Sequence, residues 1–165
     1  MAGRESRISS FIQENVKDFF DEIEIDPLGS IICKKFSKKK AKQKILLLCH
    51  MDEIGFLVSH INSKGFLFVD PVGGFDPRNL FSRRVLVCTE NGDYKAVMNP
   101  PGKPVHTQSA MDRKKIPEPN EFFIDMGIGE KAKDKVKIGD FVVMDEPFLE
   151  LSDKVVSKAL DNRIA

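Results

Sequence analysis

The sequence lacks the features of a membrane protein, of a disulfide-rich protein and of a protein that binds polyanions. No apolar run approaches the roughly 20 residues needed to span a bilayer, and the N-terminal MAGRESRISS has no apolar signal core. The three cysteines are odd in number, and their spacing fits neither a zinc ribbon nor a redox motif. Because 26 basic residues oppose 25 acidic ones, the net charge of +1 favours neither nucleic acid nor an anionic membrane as a partner.

These absences indicate a cytoplasmic protein with reduced, buried thiols and a small or polar substrate. The length of 165 residues suits one ordinary domain, or a small domain inserted into a larger one. An apolar share of 41% is sufficient to build a core.

The first 53 residues predict the beginning of an α/β domain. Apolar positions from Ile8 to Ile23 recur at three- and four-residue spacing, which predicts an amphipathic helix with one face in the core. The stretches SIICKKF (30–36) and KILLLC (44–49) predict strands, the second buried on both faces. The basic run KKKAKQ (38–43) is predicted to be a solvated connection between them.

The middle of the chain predicts an antiparallel β-barrel or sandwich between residues 54 and 150, because short apolar runs alternate there with turn residues. Asn91-Gly92 predicts a hairpin, since both residues tolerate positive φ. The Pro-rich stretch from Asn99 to Pro119 predicts a long surface loop. Residues 151–165 return to a mixed pattern, so the order of elements suggests a β module inserted into an α/β domain.

Two segments at the edges of this module can carry chemistry. The stretch ILLLCHMDEIG (45–55) ends a predicted core strand in His50, Asp52 and Glu53. On an extended backbone His50 and Asp52 point to the same side, so they can form either a metal ligand with its orienting acid or an ordinary surface pair. In ALDNRIA (159–165), Asp161 can bind a cation or serve as a helix N-cap.

Taken together, these segments resemble the glutamyl and deblocking aminopeptidases, a metallopeptidase family whose members form tetrahedral dodecamers. HMDEIGF and KALDNR are the specific motifs, and the other stretches support them in family order over nearly the whole chain. The matching stretches are HMDEIGFLV (50–58), GKPVH (102–106), FIDMG (123–127), VKIGDFVVMDEPF (136–148) and SKALDNR (157–163).

The resemblance implies an α/β fold in which an inserted antiparallel β-barrel dimerisation domain (54–150) interrupts an aminopeptidase-type catalytic domain (1–53 and 151–165). It implies a cytoplasmic enzyme that removes N-terminal residues from peptides with two divalent metal ions, zinc or cobalt. His50 matches a metal ligand, Asp161 the carboxylate that bridges the two ions, and Asp52 the catalytic-site acid that steadies the histidine. Dimers that assemble into a dodecamer are also implied, with no nucleic acid or membrane partner.

The sequence departs from the family pattern after the bridging aspartate, where the family supplies a Glu-Glu pair, a further carboxylate ligand and a distal histidine. Only four residues follow Asp161. We therefore expect this chain to be inactive alone, as a truncated polypeptide, one part of a split enzyme or a degraded relative. The alternative is a non-catalytic β module that mediates self-assembly or partner binding. Glycoside hydrolysis is disfavoured, since nothing indicates a sugar-binding cleft.

Four further polar residues are expected to have structural roles. Glu53 is interpreted as a structural residue or an acid behind the metal ligands, and His60 as an exposed strand residue. We expect His106 to belong to loop architecture or a subunit contact, and Asp125 to be a turn or cap carboxylate.

Overall fold

The computed structural model describes residues 1–40 and 43–163, and the chain divides into two compact units. The first unit combines two separate stretches, Met1–Glu53 and Lys158–Ala165, and the second is the continuous stretch Ile54–Ser157. The assignment of these parts to catalytic and dimerisation domains stays a prediction. Within the described residues, no helix is both long and apolar enough to cross a membrane.

The first unit contains two short helices and one hairpin. Its elements are α1 (Ser6–Val16), β1 (Glu22–Ile25), β2 (Ile31–Lys34) and α2 (Leu160–Arg163). Strands β1 and β2 pair antiparallel, with Ile23 opposite Cys33. At the turn, the Asp26 carboxylate accepts hydrogen bonds from the backbone N–H groups of Leu28 and Ser30. Lys34 adds ion pairs to Glu22 and Glu24, so local polar contacts hold this hairpin.

Three predictions for the first unit were wrong. The helix ends at Val16, and Ile23 lies instead on β1, because pairing with β2 competes with continuation of the helix. The predicted core face of the helix has no fully buried residue, since Ile8, Ile12 and Val16 are half-buried and Phe11 is 61% exposed. The predicted strand at 44–49 is neither a strand nor buried, since no strand within the described residues pairs with it and Ile45 is 88% exposed. The predicted KKKAKQ connection includes residues 41 and 42, which lie outside the described residues.

The second unit is a closed antiparallel barrel of six strands, which confirms the predicted β module and selects the barrel over the sandwich. Its strands are β3 (Gly55–Ile61), β4 (Leu67–Val72), β5 (Arg83–Thr89), β6 (Gly92–Asn99), β7 (Phe123–Asp125) and β8 (Phe141–Met144), in spatial order β3-β4-β7-β6-β5-β8. Pairing of Phe56 with Val142 closes β8 onto β3. A separate exposed hairpin follows, with strands β9 (Leu149–Leu151) and β10 (Lys154–Val156).

The barrel interior is filled by side chains at alternate strand positions, as the period-two pattern predicts. Phe56 and Val58 of β3 are buried, and so are Val85 and Val87 of β5. Between the strands, Phe122 also lies in the core, where its ring meets that of Phe81 edge to face at 5.4 Å. Each fully buried aliphatic or aromatic side chain contributes about 1.5 to 3 kcal/mol of transfer free energy, so this core stabilises the unit.

The turns of the barrel use residues suited to their backbone angles. Asn62 accepts backbone hydrogen bonds from Lys64 and Phe66 across the β3–β4 turn. The predicted hairpin is present, but its loop lies one residue earlier than Asn91-Gly92. Glu90 and Asn91 form the loop, and Gly92, with a φ of +127°, pairs with Thr89. The stretch from residue 100 to 119 is a long connection that contains short 3-10 helices.

The three cysteines are thiols and form no disulfide among the described residues. Burial raises the pKa of the Cys33 thiol, with a further contribution from Cys49. The expectation that all three are buried was wrong, because Cys49 lies on the exposed 44–49 segment.

Candidate metal centre

His50 follows the exposed 44–49 segment and is oriented by Asp52. The ring Nδ1 lies 3.1 Å from Asp52 Oδ1 and 3.1 Å from the backbone oxygen of the same residue. A neutral imidazole that donates its Nδ1–H to these oxygens presents the lone pair of Nε2 on the opposite side of the ring. This arrangement of carboxylate and histidine is the one that fixes metal-binding imidazoles in proteins.

Asp161 brings a carboxylate to the free side of the same ring. Its Oδ1 lies 3.5 Å from His50 Nε2, although the two residues are far apart in the sequence. Asp161 is the second residue of α2, so the N-cap alternative does not describe its position. The side chain of Asp161 is 93% exposed, which leaves it accessible to an ion from solvent. The structure therefore brings together the three residues that the sequence singled out.

The distance between His50 Nε2 and Asp161 Oδ1 suits two ligands of one divalent ion. Zinc binds imidazole nitrogen and carboxylate oxygen at about 2.0 to 2.1 Å, so two ligands at a tetrahedral angle stand roughly 3.3 Å apart. The observed 3.5 Å between His50 Nε2 and Asp161 Oδ1 is close to this value. The two residues thus fit as part of a metal site.

The described residues supply only part of such a site. Among residues 1–40 and 43–163, no group of three or more His, Cys, Asp or Glu side chains converges to hold an ion. His50 and Asp161 can therefore contribute two ligands, and a structural zinc site requires about four.

An ion pair joins the same two segments and was not found from the sequence. Lys158 Nζ lies 2.8 Å from Glu53 Oε2, with the two side chains 33% and 26% exposed. The sequence interpretation gave Glu53 a structural role and gave Lys158 none. The sequence does contain a signal for this pair. The acidic Glu53 lies three residues after His50, and the basic Lys158 lies three residues before Asp161.

The remaining candidates lie elsewhere and have the expected local surroundings. His60 is exposed on β3, with its ring 5.9 Å from that of Phe68. His106 belongs to a short 3-10 helix in the long connection. Asp125 Oδ1 accepts a hydrogen bond from the Gly127 backbone, as expected for a turn carboxylate.

A groove of about 490 Å³ is lined by residues of the barrel unit and contains neither His50 nor Asp161. It is lined by side chains of both charges, including Arg84, Lys95, Asp125 and Asp145. This mixed charge selects no class of ligand, so the groove does not compete with the His50 site as the candidate centre.

Comparison with known families gives a match that spans these residues. The family model of the M42 glutamyl aminopeptidases matches residues 29–165, a span that includes His50, Asp52 and Asp161. Among curated proteins, the glutamyl aminopeptidase of Lactococcus lactis is 29% identical over 168 aligned residues, which cover 98% of this chain and 47% of that protein. The chain spans about half the length of the curated relatives that it matches along its whole length.

Two solved structures have the same fold. An aminopeptidase of the archaeon Desulfurococcus kamchatkensis is 37% identical, with a TM-score of 0.80 over 98% of this chain and 44% of that one. The TET1 peptidase of Pyrococcus horikoshii, described as assembling into a tetrahedron or a large octahedral shell, is 32% identical with a TM-score of 0.79. The match covers 99% of this chain and 48% of the Pyrococcus chain. The fold is therefore aminopeptidase-like and includes a closed six-stranded barrel.

Proposed function

Because the chain belongs to the M42 glutamyl aminopeptidase family, we propose that it carries part of a metal-dependent site that removes N-terminal residues from peptides. The observation that carries this proposal is the 3.5 Å approach of His50 Nε2 to Asp161 Oδ1. Names of relatives support the reaction class, since the Lactococcus and Desulfurococcus proteins are both aminopeptidases.

His50 and Asp161 are proposed to hold divalent ions, zinc or cobalt. A bound pair of such ions supplies Lewis acidity for the scissile carbonyl and a nucleophile at neutral pH. Asp52 is a positioning residue, because its acceptance of the Nδ1–H keeps Nε2 of His50 available as a ligand. Asp161 offers two exposed carboxylate oxygens, which suits a ligand shared between two ions.

The barrel is proposed to be an insertion that serves in dimerisation. Its support is the chain order, since the unit that holds His50 and Asp161 is built from two stretches on either side of Ile54–Ser157. We propose that the whole protein forms homo-oligomers, as the Pyrococcus peptidase does. A cytoplasmic location is part of this proposal.

Residues 1–165 by themselves are proposed to be inactive. Within the described part of the chain, the candidate ligands never number three at one place. Two-metal hydrolysis needs ligands for both ions and a general base, so groups beyond this set are required.

Cobalt binding tests the metal site directly. Calorimetric titration of the chain with Co²⁺ should show binding. His50→Ala and Asp161→Asn should each weaken this binding at least tenfold, because each removes one of few ligands. His60→Ala is the matched control, because it removes an exposed histidine of the barrel. Equal affinities for the wild type and His50→Ala would contradict the proposal.

A chimera tests the reaction. The chain should replace the matching 44% of the Desulfurococcus kamchatkensis aminopeptidase. We expect release of N-terminal residues from peptides by this chimera and no release by its His50→Ala variant. A folded chimera whose activity is unaffected by His50→Ala would show that the histidine has no part in the reaction.

A second candidate function is a non-catalytic module that self-assembles through the barrel. It is favoured by the fact that every buried hydrophobic residue identified in the described chain lies in the barrel unit. Light scattering on the chain tests it, because a monomer at all accessible concentrations would exclude this function.

A further inference from the structure

Two polar contacts connect the segments that contain the candidate metal ligands. His50 approaches Asp161 at 3.5 Å, and Glu53 binds Lys158 at 2.8 Å. The second contact is the shorter and the less exposed, since Glu53 is 26% exposed whereas Asp161 is 93% exposed. Of the two contacts, the Glu53–Lys158 pair is therefore less screened by water and contributes more to holding the segments together.

The positions of the two pairs follow one register. Glu53 lies three residues after His50, and Lys158 lies three residues before Asp161. The two contacts are therefore separated by three residues in each segment, and the segments run in opposite directions, as in an antiparallel pair. Fixing one pair in this arrangement restricts where the other can lie.

Asp161 needs such a restriction, because its own surroundings hold it weakly. Helix α2 has four residues, and a helix of about one turn is marginal without tertiary contacts. Its apolar residue Leu160 is 38% exposed and the Asp161 side chain is almost fully exposed. Burial therefore contributes little to placing the carboxylate.

We propose that Glu53 and Lys158 are positioning residues that hold Asp161 within ligand distance of His50. This inference rests on the proposed function, since it assigns the pair a role in metal binding. Neither residue is proposed as a ligand. The ion pair acts through the backbone of residues 158–161, and its loss widens the range of positions that the Asp161 carboxylate samples.

The test measures Co²⁺ affinity of the chain together with hydrogen exchange of the metal-free protein. Glu53→Gln and Lys158→Met should each lower the affinity about tenfold, in line with the loss of residues that orient metal ligands. Both should accelerate amide exchange in residues 159–163. Lys158→Arg and the exchanged pair Glu53→Lys with Lys158→Glu should recover most of the affinity, because either change restores an ion pair at the same place.

Lys137→Met is the matched control, since it removes a lysine that binds Glu90 at 2.6 Å within the barrel unit. It should leave Co²⁺ affinity unchanged. If His50→Ala abolishes binding but Lys158→Met preserves it, the positioning role is overturned and the metal site stands. If His50→Ala leaves binding unaffected, both the proposed metal site and the positioning role fail.

Discussion

The two units differ in how their apolar residues are distributed. In the barrel unit, Phe56, Leu80, Met98 and Val142 have no exposed surface. In the described residues of the first unit, the one buried residue is Ser9, and four consecutive apolar residues from Ile45 to Leu48 are each at least 74% exposed. The barrel therefore holds a core of its own, whereas the described residues of the unit with the candidate metal site form none.

This difference means that the residues that stabilise the fold and the residues proposed for chemistry lie in different units. Burial of apolar surface is the dominant favourable contribution to folding, so the barrel should fold as an independent cooperative unit. The residues proposed for chemistry, His50 and Asp161, lie instead where ion pairs and hydrogen bonds are the main contacts. Regions with few buried contacts open at low free energy, which predicts weaker protection from hydrogen exchange in the first unit.

The largest difference should appear when matched aromatic residues of the two units are removed. Phe56→Ala should lower the free energy of unfolding by about 3 to 5 kcal/mol, because Phe56 is fully buried and stacks on Phe75 at 4.3 Å. Phe11→Ala, in the 61% exposed position on α1, should change it by less than about 0.5 kcal/mol. Urea denaturation measures both, and similar losses would refute the contrast between the units.

A smaller loss should follow from adding one methyl group to the barrel. Gly65 has a φ of +85°, and a Cβ there would lie 1.9 Å from the Gly129 carbonyl oxygen. Because that neighbour is backbone and cannot rotate away, Gly65→Ala should destabilise the protein by about 2 to 4 kcal/mol. Gly127→Ala is the control, since its φ is +68° in open space and its strain should be about 1 kcal/mol. If Gly65→Ala and Gly127→Ala lowered the free energy of unfolding equally, the clash with the Gly129 carbonyl oxygen would be excluded as a cause.

The barrel was predictable because its signals are local. Alternation of apolar residues and the Asn91-Gly92 turn signal act over a few residues, and the structure has both the alternation and a hairpin whose loop lies one residue earlier. Closure was not predictable in the same way, since it depends on pairing Phe56 with Val142, which lie far apart in the chain. The residue pattern therefore left barrel and sandwich open, and the barrel was expected from the family resemblance.

The first unit shows the limit of such patterns. The run Ile45–Leu48 indicates a surface suited to burial, but it does not specify which strand would cover it, and none within the described residues does. The approach of His50 to Asp161 was expected from the family resemblance and not from residue spacing. The Glu53–Lys158 pair was missed, although opposite charges at matched positions in two motifs are visible in the sequence.

Acid sensitivity of the barrel should be a smaller effect than either substitution in its core. Hydrogen bonds from the Arg78 side chain, and then from its backbone, lower the pKa of Asp76 from 3.8 to about 2. The ionised carboxylate caps the 3-10 helix Pro77–Leu80, so its contribution is complete above the ordinary pKa and is lost as the pH falls through the folded value. Asp76→Asn and Arg78→Met should each flatten the decline in melting temperature between about pH 4 and 2. An unchanged decline in both would show that this cap does not govern it.

The smallest change in stability is expected at Leu47, where sequence pattern and structure disagree. In a strand buried on both faces, a polar replacement of leucine would cost at least the roughly 2 to 5 kcal/mol of a Leu→Ala change. At 75% exposure, Leu47→Ser should instead alter the free energy of unfolding by less than about 0.5 kcal/mol and reduce self-association measured by light scattering. Val87→Ser, which places the same hydroxyl in the barrel core, is the control for a buried site. A loss at Leu47 as large as that at Val87 would mean that the segment is covered in solution, and the contrast between the two units would then be smaller than the structure indicates.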